Sequence, residues 1–109
     1  MAEHYFGIMQ DDPRPRERYD VFEPEKYNCI SADDEYIEPL LDRLSKFDSF
    51  SHTVEIPATG LIYCGITLIP PESLPQLIEL FSGYETLKAV ADVMREALRR
   101  NKYVIHYGI

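Results

Sequence analysis

Histidine and carboxylate side chains are the groups in this chain suited to acid–base chemistry near neutral pH. The three histidines, His4, His52 and His106, all fall in segments patterned like strands. His4 and His106 stand near the two chain ends, and terminal strands are often neighbours. A histidine that meets a carboxylate there would make a small His/carboxylate hydrolase site, with or without a metal. The plainer reading is three ordinary polar strand positions, because neither H-E-x-x-H nor H-x-H occurs.

Carboxylates cluster twice, at Asp11-Asp12 and at Asp33-Asp34-Glu35, with Glu38 one turn beyond. A hard cation needs several convergent oxygens, and the spaced pattern of a calcium loop is missing. Helix capping accounts for Asp33 and Asp34. Cys29 and Cys64 make no C-x-x-C pair and have no electropositive neighbours in sequence. They read as small buried hydrophobes. The sequence has no Gly-x-Ser-x-Gly elbow and no glycine-rich phosphate loop among its five glycines. No catalytic residue, cofactor or metal is assigned from it.

The distribution of charge says more than its total. The net charge is −8. Residues 1–56 hold fourteen acids against six bases, whereas residues 57–109 hold five of each. Nucleic acid and anionic membrane are therefore poor partners, since both are bound through clustered Lys and Arg. A basic protein is the easier partner, and plain solubility is the bland alternative. The spot Pro13-Arg14-Pro15-Arg16-Glu17-Arg18 is nearly cancelled by flanking acids and reads as a solvated loop. The first residues lack a basic and then apolar leader, so no signal peptide and a cytoplasmic location are expected.

The elements that must position these groups follow from hydrophobic period. Residues 4–9 read as a strand and residues 10–26 as a long irregular loop with Pro13, Pro15 and Pro24. Residues 27–30 read as a second strand. Ile37, Leu40, Leu41 and Leu44 repeat as an amphipathic helix starting between 34 and 38, where Pro39 is tolerable only in the first turn. Residues 52–56 alternate, residues 57–60 turn, and residues 61–69 read as a central strand in a hairpin with the former. Leu74, Leu77, Ile78 and Phe81 mark a helix, and Leu87, Val90, Ala91, Met94 and Leu98 mark another over roughly 85–100. A last strand covers 103–107.

The expected fold is one α+β domain spanning 1–109, in the order β-β-α-β-β-α-α-β. Its sheet is mixed or mostly antiparallel, with four to five strands and about three helices packed on it. The leading expectation is a non-enzymatic protein-binding module that docks a basic partner through its acidic N-terminal half. Asp11, Asp12, Asp33, Asp34, Glu35 and Glu38 would make contact, with tyrosines such as Tyr19 as anchors. Small acidic immunity or antitoxin-type inhibitors of bacterial nucleases are similar in size and charge, though in no motif. The eight tyrosines suit the core as well as an interface. A homo-oligomer pairing through a strand edge or a Tyr-rich surface is the remaining expectation.

Overall fold

The computed structural model describes residues 2–109. Six strands form a single antiparallel sheet: β1 (Glu3–Ile8), β2 (Ile30–Asp33), β3 (Asp48–Phe50), β4 (Pro57–Thr59), β5 (Ile66–Ile69) and β6 (Val104–Tyr107). Their order across the sheet is β2-β1-β6-β5-β3-β4. Three α-helices complete the α+β fold: α1 (Asp34–Ile37), α2 (Leu74–Ser82) and α3 (Lys88–Arg99). The sheet is thus one strand larger than expected and the order is β-β-α-β-β-β-α-α-β.

The two ends of the chain lie side by side at the centre of this sheet. Phe6 of β1 stands opposite His106 of β6, and Thr67 of β5 stands opposite His106 on its other side. Alternation along the strands puts His4, Phe6, Thr67, Ile69, Val104 and His106 on one face. Helices α2 and α3 cover that face with Leu74, Leu77 and Phe81, and with Val90, Ala91, Met94 and Ala97, all buried. The outer side of α3 carries the exposed pairs Asp92–Arg95 and Glu96–Arg99. Asn101 takes the left-handed conformation (φ 56°) and ends the helix, with the Lys102 N–H donating to Ala97 C=O at 2.8 Å.

The opposite face is covered by the proline-broken segment, which is a second layer rather than a free loop. Met9, Tyr27, Leu68, Ile105 and Tyr107 are buried there together, with Tyr5, Tyr19 and Cys29 packed around them. Phe22 meets Tyr5 and Tyr107 edge-on at ring distances of 5.3 and 5.2 Å. The Tyr19 N–H donates to His52 C=O at 2.7 Å and ties the segment to the hairpin loop.

Five segments depart from the sequence expectation, and one is the expected turn at 57–60, where Pro57–Thr59 is strand β4 and forms its hairpin with β3 instead of joining 52–56 to 61–69. The second strand starts at Ile30 because Pro24–Tyr27 forms a 3-10 turn closed by Asn28 at φ 50°. The first helix is one α-turn followed by 3-10 turns at Glu38–Leu40 and Arg43–Ser45, because Pro39 lacks the N–H that would continue it. Of its stripe, Ile37, Leu40, Leu44 and Phe47 are buried all the same, and Leu41 is partly so. Residues 52–56 are not a strand. They form the β3–β4 loop, closed by Ser51 N–H to Ile56 C=O at 2.9 Å. The long strand over 61–69 is regular only from Ile66. Residues 61–65 leave the sheet after Gly60 and place Cys64 in solvent, contrary to its reading as buried.

Gly60 is obligatory at that departure. Its φ is +83°, and a β-carbon there would lie 2.6 Å from Leu44 C=O and from Ser45 Cα. Both obstacles are backbone, so neither can swing aside. Gly60→Ala is expected to cost about 3 kcal/mol, from left-handed strain plus the clash. Urea unfolding checks it, and a loss under 1 kcal/mol would reject this account of the turn.

Candidate functional site

A continuous hydrogen-bonded chain runs through the helix-covered face from the interior to the surface. The Ile62 N–H donates to Thr67 Oγ1 at 2.8 Å. Thr67 Oγ1 lies 3.1 Å from His106 Nδ1, and His106 Nε2 lies 2.9 Å from His4 Nδ1. His4 Nε2 reaches Asp34 Oδ1 at 2.9 Å, and the Tyr63 hydroxyl donates to Asp34 Oδ2 at 2.6 Å. Thr67, His106 and His4 are 0% exposed, while the Asp34 side chain is 17% exposed.

Each member has a local reason for its place. Strand pairing fixes His4, His106 and Thr67 on neighbouring strands of one face. Asp34 opens α1 directly after β2, where Asp33 Oδ1 accepts the Glu35 N–H at 2.9 Å and sets the turn. Tyr63 is carried by the segment after Gly60. That segment is clamped to the chain end by Ile109 N–H to Tyr63 C=O at 3.0 Å and Gly108 N–H to Gly65 C=O at 2.7 Å.

With both rings neutral, donor and acceptor capacity gives the whole chain one direction. The hydroxyl of Tyr63 first, and His4 second, hold the Asp34 carboxyl below the usual carboxylate range, so it is ionised and accepts only. His4 must then donate from Nε2, which leaves its Nδ1 as an acceptor in the neutral ring. His106 must donate from Nε2 to that nitrogen. Its Nδ1 in turn accepts from the Thr67 hydroxyl, which accepts the Ile62 N–H. Every buried polar atom of the chain has a partner, and its one charge sits at the outer end.

The surroundings favour this charge state. Burial first, and the nearby His4 second, hold His106 well below the ordinary imidazole value. The bond to Asp34 and then burial push Tyr63 up to about 12. The two rings stack at 5.2 Å with an interplanar angle of 16°, and Phe6 lies 4.9 Å from His106. Among the described residues, no group of three or more His, Cys, Asp or Glu side chains is arranged to hold a metal ion.

The residues expected to contact a partner are split between two places. Asp33, Asp34, Glu35 and Glu38 gather at the start of β1, where Asp33 pairs in register with Glu3. Asp11 and Asp12 follow the other end of β1, roughly 20 Å away along a six-residue strand. They are exposed beside Arg14 and Lys26. Tyr19 lies with them, accepting the Arg14 N–H at 3.0 Å and donating to Glu17 at 3.0 Å. Asp34 differs from its neighbours, because both of its oxygens are engaged inside the molecule. Glu35 and Glu38 are exposed, and Tyr36 between them is 39% exposed.

His52 stands apart from the other two histidines, with Nδ1 3.1 Å from Ser51 Oγ. Cys29 is half-buried, and burial pushes its thiol up to about 11, so it is not a nucleophile at neutral pH. Thr67 and Tyr63 were not singled out from sequence. Thr67 had a signal, as the lone hydroxyl among apolar residues in a central strand. Tyr63 had none, because its place depends on a turn. Comparison with protein-family models, curated proteins and solved structures returns no match.

Proposed function

We propose that the chain is a non-enzymatic protein-binding module of the cytoplasm that docks a basic partner on the acidic face of α1 and the adjoining edge strand β2. One observation carries the reading. Glu35, Tyr36 and Glu38 are exposed together on a short turn whose base is anchored through Asp34 to the buried chain. An aromatic body between carboxylates on a rigid support is what a basic, partly apolar surface can recognise. Asp11, Asp12 and Tyr19 would add a second contact only for a partner wide enough to span β1.

The test is capture from a lysate of the source cells at low salt, comparing the native chain with Glu35→Lys/Glu38→Lys. A basic protein should be retained by the native chain, released as salt rises, and bound at least ten-fold more weakly by the double variant. Equal capture by both, or capture indifferent to salt, rejects the reading.

A second reading, a His/carboxylate hydrolase, is favoured by the pairing of His4 with Asp34 at 2.9 Å. Both imidazoles are fully covered, so a substrate could meet this chain only at Asp34 or Tyr63.

A further inference from the structure

We propose that His4 and His106 form a single one-proton store, whose loading reverses the two hydrogen bonds that join His4, His106 and Thr67. The inference goes beyond partner binding and does not depend on it. It rests on the 2.9 Å separation of His106 Nε2 from His4 Nδ1 and on the complete burial of both rings.

A separation of 2.9 Å admits one hydrogen between the two nitrogens. Two N–H groups facing each other would bring their hydrogens to roughly 1 Å, so both rings cannot be imidazolium while this geometry lasts. In the unloaded state each ring holds its hydrogen on Nε2. When one proton enters from water, the Nε2 hydrogen of His106 passes to His4 Nδ1. The added proton rests on His106 Nδ1. His4 then carries two N–H groups and the positive charge, directly against Asp34. His106 stays neutral in the opposite tautomer, and its Nδ1–H donates to Thr67 Oγ1. Thr67 Oγ1 then accepts from both His106 and Ile62, and its own hydrogen turns away from the ring. No bond is broken other than the N–H bonds named, and the pair gains one proton and one charge.

The groups facing the pair select this outcome. Asp34 from α1 is the one carboxylate bonded to either ring, and Tyr63 holds its other oxygen. Glu38 is near enough to act on Tyr63. Beside His4 in the sheet stands Ala32 of β2, and β5 offers only the hydroxyl of Thr67. Helices α2 and α3 turn apolar side chains to this face, namely Leu74, Leu77, Phe81, Val90, Ala91, Met94 and Ala97. The positive charge is therefore favourable on His4, beside Asp34, and unfavourable on His106, where burial already opposes it.

The test is a pH titration of the folded protein labelled with 15N at histidine, read by long-range 1H–15N correlations that report each tautomer. At high pH both paired rings should show the Nε2–H form. On acidification one ring should become imidazolium while the other changes to the Nδ1–H tautomer in the same step. His52 serves as an unpaired reference. Asp34→Asn keeps an acceptor for His4 but removes the charge, and should lower the proton affinity of the pair at least ten-fold. Thr67→Val provides a second variant, in which the Nδ1–H form of His106 should not appear. Two imidazolium rings in the folded protein would overturn the proposal. So would loading unchanged by Asp34→Asn, or no change at either ring before the protein unfolds.

Discussion

Replacing Asp34 with alanine is expected to destabilise the protein by about 2–3 kcal/mol, more than any other single change on the acidic surface. The substitution leaves the His4 Nε2–H buried without an acceptor and frees Tyr63, which no longer holds residues 61–65 against α1. Asp34→Asn retains an oxygen for His4 and should lose about 1 kcal/mol. Glu35→Ala and Glu38→Ala remove exposed carboxylates and should change stability by no more than about 0.5 kcal/mol. Chemical unfolding of the four variants decides the matter. Equal losses at positions 34, 35 and 38 would mean that the buried chain does not support α1.

The same network sets how stability follows pH. Asp34 is depressed in the folded state, so its contribution is present above the unfolded carboxyl value of about 3.9 and is lost as pH falls through the lower folded value. His106 is depressed too. The unfolded chain takes its proton below about pH 6.5 while folded His106 resists it, so stability begins to fall there on acidification. Tyr63 is raised to about 12. Its contribution is complete below the unfolded value of about 10 and disappears as pH rises from there through about 12. Melting temperature against pH should therefore decline on both sides. Burial raises Tyr107, Tyr27 and Tyr103 as well, so Tyr63→Phe should lessen the alkaline decline without removing it, and Asp34→Asn should flatten the most acidic part.

The helices α2 and α3, the terminal strands β1 and β6 and the acidic asymmetry were legible in the sequence, and the site was legible only in part. The stripes of α2 and α3 were readable because apolar residues recur at helical spacing against charged ones, and most of them are buried, with Ile78 half-buried and Leu98 exposed beside the buried Ala97. The stripe from Ile37 to Phe47 shows what such a pattern does and does not fix. It marks which side chains face the core, but Pro39 prevents the continuous backbone the pattern suggests. Residues 52–56 alternate like a strand, and Thr53 instead accepts a turn bond from the Glu55 N–H at 3.4 Å. The meeting of His4 with His106 depends on strands 102 residues apart in sequence. Local pattern carries no information on such a pairing. Even so, both histidines sit in the terminal strands where adjacency was to be expected. Asp34 and Asp33 look alike in sequence, yet one faces inward and the other caps a helix. The difference comes from a single residue of register at the end of β2.

Phe6→Ala is expected to cost about 3–5 kcal/mol and to unseat the histidine pair as well. Phe6 is fully buried in β1, packs edge-on against Phe81 of α2 at 6.1 Å, and lies 4.9 Å from His106. It is therefore the side chain that joins the hydrophobic core to the polar chain. Its removal leaves a cavity bordered on one side by the His106 ring, so a water that entered could compete for the imidazole nitrogens, unlike in a purely apolar void. Hydration would let His106 find partners other than His4 and would ease its charging in the folded state. Phe6→Leu keeps most of the volume, should cost about 1–1.5 kcal/mol, and should leave the histidine tautomers as in the native protein. Histidine 15N shifts of the two variants, measured under conditions where both remain folded, separate packing from polarity. If Phe6→Ala lost the expected stability while the His4 and His106 shifts stayed native, the polar chain would be self-supporting. Its rigidity would then owe nothing to the helices above it.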